Sequence, residues 1–241
     1  MNFVIPMAGR GERFAKAGYS KPKLLLPAHG KTLLEWSVDS LPLDLCTNLI
    51  FVGLSEHETQ HKLERWLADR YRGANPKFIW IEQTTRGQAE TVYLAKDLLD
   101  LSKSLLIFNI DTAFRSSRIG AALQAAGNDG VLGAFHSTEP RFSFADVDDR
   151  GVVREVREKS IISPHALTGL YHFARTADFL NVASEAIARD EKEKGEFFVA
   201  PLYNKLITQG RRFVLDECEE HWILGTPGEY ESFCSLPEGS V

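Results

Sequence analysis

The 241-residue chain is poor in the features that mark several protein classes. Cysteine is scarce: Cys46, Cys218 and Cys234 are three, odd in number, far apart and without a CxxC pair. That pattern suits packing thiols in a reducing compartment and offers neither a disulfide framework nor a zinc framework. No apolar run approaches the ~20 residues of a membrane span, and the apolar part of MNFVIPMAGRGERF is too short for a secretory signal. A cytoplasmic location with no membrane partner is the expectation. An excess of positive charge is also missing, since 28 Lys and Arg stand against 33 Asp and Glu, a net charge of −5. Nucleic acids and anionic membranes are held by clustered Lys and Arg, so no nucleic-acid partner is expected and an anionic substrate has to be met locally. Internal repeats and low-complexity linkers are absent. With 44% hydrophobic residues the chain can bury a full core, and residues 1–241 are expected to form one domain.

What is present alternates in period. Asn2 to Met7, Asn48 to Gly53, Lys77 to Glu82 and Ser104 to Ile110 are short apolar runs, the pattern of strands buried on both faces of a parallel sheet. Thr32 to Leu41, His57 to Tyr71 and Gln88 to Leu99 carry helical periodicity between them. An α/β fold follows: a Rossmann-like, doubly wound, mostly parallel sheet with helices on both faces. Helix is also expected over Arg115 to Ala126, Ala174 to Ala188 and Phe197 to Thr208. Val131 to His136, Ala166 to Phe173 and Arg212 to Asp216 read as further strands. Phe142 to Val147 and Val152 to Arg157, joined by Asp148-Asp149-Arg150-Gly151, read as a β-hairpin.

The first strand runs into Ala8-Gly9-Arg10-Gly11-Glu12-Arg13, placing two glycines at the carboxyl end of a strand, where such sheets present their ligand crevice. Glycines let successive N–H groups turn toward one anion, and Arg13 adds a fork matched to phosphate oxygens. A dinucleotide fingerprint fits poorly, because its third glycine would fall on Phe14 and no helix is expected to start directly afterwards. Gly30-Lys31-Thr32 resembles the end of a P-loop, but Leu25 stands where the first glycine is needed. His57-Glu58-Thr59-Gln60-His61 spells HExxH, a zinc-protease motif, yet its charged neighbours and the lack of a third ligand motif favour an exposed helix start.

Taken together, these blocks resemble the sugar-phosphate nucleotidyltransferases, or nucleoside-diphosphate-sugar pyrophosphorylases, and among them the compact capsule and cell-surface polysaccharide type. The resemblance covers nearly the whole chain. Its most specific part is Pro6 to Phe14 followed by Ser20-Lys21-Pro22-Lys23-Leu24-Leu25-Leu26-Pro27. It implies that Ala8, Gly9 and Gly11 wrap a triphosphate and that Arg13 and Lys23 act on the phosphates. Gln83 with Gly87 and Gln88 resembles the segment that reads the nucleobase, an amide being able to donate and accept at once. Asp111, after Asn109-Ile110, resembles the aspartate that holds magnesium, with Asn109 in place of a small residue. Glu158, Lys159, Gly169 and Glu196 resemble the acceptor side. Trp222 to Pro227 resembles a WxDxGTP-like segment but puts Ile223 where a second metal-binding aspartate belongs, so either one carboxylate suffices or Glu219 or Glu220 substitutes.

The resemblance implies an enzyme that transfers a nucleoside monophosphate from a triphosphate to a phosphorylated acceptor such as a sugar 1-phosphate, releasing pyrophosphate, with Mg²⁺ as cofactor. CTP and dTTP are the leading donors. Homodimers are common in such families, although no exposed apolar stripe here argues for one. A non-catalytic nucleotide-sugar binder on the same fold is the alternative, with a zinc hydrolase ranked below it.

Overall fold

A computed structural model describes residues 1–237 and 239–241. In chain order its elements are β1 (Asn2–Met7), α1 (Glu12–Lys16), β2 (Pro27–Ala28), β3 (Lys31–Thr32), α2 (Leu33–Asp39), β4 (Asn48–Leu54), α3 (Ser55–His61), α4 (Leu63–Arg70) and β5 (Pro76–Ile81). Then come α5 (Gln88–Tyr93), β6 (Leu105–Ile107), β7 (Thr112–Arg115), α6 (Ile119–Gln124), β8 (Gly130–His136), β9 (Ser143–Val147), β10 (Val153–Glu158) and β11 (His165–Phe173). The chain closes with α7 (Thr176–Ala188), α8 (Leu202–Thr208), β12 (Phe213–Glu217), β13 (Glu220–Ile223) and α9 (Pro227–Cys234).

Among the described residues one sheet has nine strands, in the order β10-β9-β11-β6-β1-β4-β5, with β8 beside β11 and β12 beside β8. β6, β1, β4 and β5 run parallel. β11 runs antiparallel to β6 and β8, and β12 is parallel to β8. The doubly wound, mostly parallel sheet expected from the apolar runs is thus present, and the Asp148 to Gly151 turn closes the β9–β10 hairpin.

Side-chain alternation along each strand splits the core in two. Val4, Ile50, Val52 and Ile107 pack with α5, α7 and α8 residues such as Val92, Phe179 and Leu206. Phe3, Ile5, Phe51 and Leu106 pack on the other face with Leu34 and Val38 of α2, Leu67 of α4 and Ile119 of α6. Helices on both faces leave the strand ends as the place for a site.

Several expected helices are shorter than their periodicity. His57 to Tyr71 is broken at Lys62, which takes a left-handed conformation (φ 52°) and ends one helix as the next begins. The second helix gains a substitute partner, because the Glu64 N–H donates to Glu58 Oε2 at 2.8 Å. Gln88 to Leu99 is helical only to Tyr93, then tightens into a 3₁₀ turn over Lys96–Leu98. Phe197 to Thr208 becomes helical at Leu202, after Pro201, because the backbone of Phe197 is committed to Arg86 O and to the Ala89 N–H. Ser104 to Ile110 is strand over Leu105–Ile107 alone, and Arg115 to Ala126 is helix over Ile119–Gln124 alone. The β7–β13 pair was not expected from sequence. Gly30 lies in the β2–β3 turn, Lys31 pairs with Asp39 at 2.8 Å and Thr32 caps α2, which accounts for the P-loop-like triplet without a phosphate.

His172 on β11 is buried, and neither ring nitrogen has a hydrogen-bond partner among the described residues. Burial lowers its pKa to about 4 from 6.5. The unfolded chain therefore takes up a proton that the folded chain refuses, so stability is full above pH 6.5 and falls as pH drops toward 4. The loss amounts to about 3 kcal/mol. His172→Leu is expected to remove that part of the slope; urea titrations near neutral pH and at about pH 4.5 read it, and an unchanged slope sinks the assignment.

Candidate active site

The carboxyl ends of β1 and β6 open into a cavity of about 790 Å³. Pockets of that order hold molecules of nucleotide size. Ala8, Gly9, Gly11 and Arg13 line one side of it, Lys23 and Asp111 the floor, and Gly87 and Gln88 the rim after β5. Glu158, Lys159, Gly169 and Glu196 line the far side. Every site residue expected from sequence is therefore in one cavity except Gln83. Because β5 ends at Ile81, Gln83 lies on the exposed segment beyond the sheet edge, in a neighbouring hollow with Arg10, Glu12, Glu82 and Thr84.

The loop after β1 is shaped by Gly11, whose φ of 62° is left-handed and whose missing side chain leaves room for Lys23 Cβ, 3.3 Å from where a Cβ would stand. Contrary to expectation, a helix does start directly, since Gly11 caps the short α1. Phe14 on α1 is buried against Leu26, Ala28 and Phe233, which anchors the loop while Arg13 stays exposed at the cavity. Lys23 Nζ donates to Asp111 Oδ2 at 3.1 Å, so the charge that would meet phosphate is held by the carboxylate that would meet metal.

Gln88 donates to Asn109 Oδ1, tying the rim to the end of β6. Asn109 in turn occupies the space where a side chain at Gly169 would be: a Cβ there would stand 2.1 Å from Asn109 Nδ2. Gly169 has φ 89° at a register shift in β11, so the larger residue at 109 and the glycine at 169 are mutually required.

On the acceptor side Glu158 is buried and accepts from the Ser143 hydroxyl, and its pKa is raised by that burial. Lys159 leaves β10 with φ 50°, a strained conformation for a non-glycine residue, which carries Nζ over the Phe198 ring at 4.6 Å. Its carbonyl accepts from Lys194 Nζ at 2.8 Å. Arg86, Arg141, Ser143 and Lys192 also line the cavity without belonging to any recognisable block, and Tyr171 lines it from the Thr168 to Tyr171 segment that carries Gly169.

Magnesium asks for carboxylate oxygens and few of them. Asp111 provides one group. Ile223 faces the same cavity but packs with Phe135 and Phe142 and has no donor atom. Glu219 bonds to Ser117 and Glu220 to Arg115, away from the cavity, so neither replaces the missing aspartate. One buried carboxylate oxygen nearby, Glu229 Oε2, has no hydrogen-bond partner among the described residues. The residues present thus fit a hard divalent cation through Asp111 with room for a second oxygen ligand.

The HExxH helix is exposed at Glu56, Thr59 and Gln60, as expected, and differs only at its first histidine. His57 is buried with Nδ1 unpartnered, and burial lowers its pKa, whereas Glu58 is spent on the Glu64 N–H. Among the described residues no three His, Cys, Asp or Glu side chains gather to hold a metal. No helix among them is long and apolar enough to cross a membrane.

A Rossmann-like sheet thus brings a glycine loop, a lysine and an aspartate together at one cavity. The chain belongs to the nucleotidyl transferase family, whose model matches residues 3–223. Among solved structures, the nucleoside-diphosphate-sugar pyrophosphorylase from Vibrio cholerae RC9 is 36% identical, with a TM-score of 0.85 over 97% of this chain and 100% of that one. The low-salt glycan biosynthesis nucleotidyltransferase Agl11 of Haloferax volcanii is 27% identical over 72% of this chain. The bifunctional protein GlmU of Methanocaldococcus jannaschii is 24% identical over 80% of it. The chain spans about half the length of these two relatives, 49% and 45%.

Proposed function

We propose that this enzyme transfers a nucleoside monophosphate from a nucleoside triphosphate to a phosphorylated acceptor, a sugar 1-phosphate or a molecule of similar shape, for the synthesis of glycan or cell-surface precursors. What supports it is a single cavity lined by Arg13, Lys23, Asp111, Lys159 and Glu196, in which β6, leading to Asp111, stands between β1, leading to the glycine loop, and β10, leading to Lys159. Residues 1–241 are taken as a single catalytic domain in the cytoplasm.

An acceptor phosphate oxygen attacks the α-phosphorus in line; the new O–P bond forms as the α–β bridge breaks and pyrophosphate leaves with the electron pair. Both reactants are anions, so the residues have to neutralise and align them. The glycine-loop amides and Arg13 hold the triphosphate, and Lys23 reaches the reacting phosphates once released from Asp111. Lys159 holds the acceptor phosphate opposite, fixed by its strained backbone and the Phe198 ring. Glu158 and Glu196 accept from acceptor hydroxyls. Asp111 would hold a magnesium ion, which when bound would supply charge neutralisation to the phosphates. A general base is unnecessary, since the acceptor phosphate is ionised at neutral pH.

The test is pyrophosphate release with Mg²⁺ and each of CTP, dTTP, UTP, GTP and ATP against a panel of sugar 1-phosphates and phosphocholine. Release that requires both partners supports the reading. If no pair releases pyrophosphate while a nucleotide sugar still raises the melting temperature, the chain is a binder on this fold. Lys159→Ala is expected to raise KM for the acceptor about 10- to 100-fold with little change for the triphosphate. Equal rises in both would move Lys159 out of the acceptor site.

A further inference from the structure

We infer that Glu229 supplies the second carboxylate of the magnesium site, from the first turn of α9, in place of the aspartate that Ile223 displaces. The inference rests on the transferase reading above, because it concerns the ion that Asp111 holds there.

The first observation is a helix cap left half made. Thr226 to Glu229 spells a capping box, in which the glutamate reaches back to the backbone N–H of the threonine. The same spelling in Thr32 to Glu35 closes on both sides, with Glu35 N–H to Thr32 Oγ1 at 3.2 Å and Thr32 N–H to Glu35 Oε2 at 2.8 Å. At α9 only the threonine's half exists, Glu229 N–H to Thr226 Oγ1 at 3.4 Å. The Glu229 carboxylate has turned away from its own helix. Its Oε1 accepts from Arg141, and its Oε2 is buried without a partner.

The second observation is where that oxygen lies. A Cβ on Gly225 would stand 3.6 Å from Asp111 Oδ2 and 3.6 Å from Glu229 Oε2. The two oxygens thus flank one point beside the cavity, and their separation is at most twice that distance. A side chain at position 225 would touch both oxygens at once. Backbone bonds fix the arrangement: Leu224 N–H donates to Asp111 O at 2.7 Å, and Ile223 is in register with Thr112.

Energetics favour a cation. A buried carboxylate oxygen with no donor costs about 1 to 3 kcal/mol. Arg141 does not relieve it, because its fork serves Glu229 Oε1 and is shared with Glu139 at 2.7 Å. Magnesium binds oxygen at about 2.1 Å and keeps several waters, so an ion on Asp111 reaches Glu229 directly or through one of those waters.

The experiment titrates Mn²⁺ alone into the full chain and reads free Mn²⁺ by electron paramagnetic resonance, independently of turnover. Glu229→Gln, which keeps an oxygen for Arg141, is expected to weaken Mn²⁺ binding about tenfold. Arg141→Gln, which removes the paired cation and keeps the carboxylate, leaves affinity within about twofold or strengthens it. Adding Ile223→Asp to Glu229→Gln restores most of the lost affinity, an outcome that a merely structural Glu229 would not produce. Melting curves confirm that each variant folds. If Glu229→Gln binds Mn²⁺ like wild type while Asp111→Asn does not, the Glu229 assignment is overturned and the transferase reading stands. Wild-type protein with no saturable Mn²⁺ binding overturns the assignment as well, and pyrophosphate release then decides the reading separately.

Discussion

Asp111→Asn is expected to lower pyrophosphate release about 1000-fold while leaving the fold intact. Asparagine keeps the shape and the hydrogen-bonding oxygen but removes the charge that a divalent ion requires. The same substitution removes the negative charge that opposes the Lys23 ammonium, which is left with a neutral acceptor. Triphosphate binding is therefore expected to survive or tighten as turnover is lost, a split between KM and kcat that a misfolded variant would not show. The melting temperature should stay within about 3 °C of wild type, since the Lys23–Asp111 pair is partly exposed and such pairs stabilise little. More than a tenth of wild-type turnover in the variant would remove Asp111 from the centre of the mechanism.

Gly87→Ala is expected to lose about 3 to 5 kcal/mol of stability and both substrate affinities together. Gly87 has φ 150°, and a Cβ there would stand 2.4 Å from the backbone nitrogen of Phe197 and 2.6 Å from its carbonyl oxygen. Those atoms have no freedom to retreat. Phe197 N–H donates to Arg86 O at 3.0 Å, and its carbonyl accepts from the Ala89 N–H at 2.8 Å, with the ring buried below. The contact joins the triphosphate rim to the segment that carries Glu196, so forcing it apart should raise KM for donor and acceptor alike. Gly9→Ala is the control for stability: nothing lies within 4 Å of a Cβ there, and the cost should be within about 0.5 kcal/mol. Equal destabilisation by the two variants would refute the argument from backbone crowding.

How much of this was readable in advance follows from the range of the interactions. Parallel strands announce themselves, because burial on both faces leaves apolar runs such as Asn48 to Leu54, and the β9–β10 turn carries its chemistry in four adjacent residues. The cavity side chains are legible because they cluster in short blocks, some at strand ends, as at Ala8 to Arg13 and Glu158-Lys159, and others inside a strand or turn, as at Gly169 and Lys23. Phe197 to Pro201 has helical spacing but gives its backbone to Gly87's neighbours, a tertiary claim that no window of sequence contains. Gln83 was placed with Gly87 by adjacency, yet leaving the sheet edge at Ile81 separates them. Glu229 reads locally as a capping glutamate, and only its distance from Asp111 through Gly225 gives it another meaning.

The β7–β13 pairing has a bearing on how the enzyme comes into being. The strand that directly follows Asp111, Thr112–Arg115, is made early, whereas Glu220–Ile223, its antiparallel mate, lies far downstream. Closing so wide a loop has an entropic cost that the rest of the domain must already have met, so this ribbon docks onto a sheet that is largely formed. A nascent polypeptide emerging from the ribosome therefore acquires its glycine loop and Lys23 long before the backbone bond from Leu224 steadies Asp111. The backbone beside Asp111 is thus tied down only after the turn at Gly11 has closed its own short-range bonds.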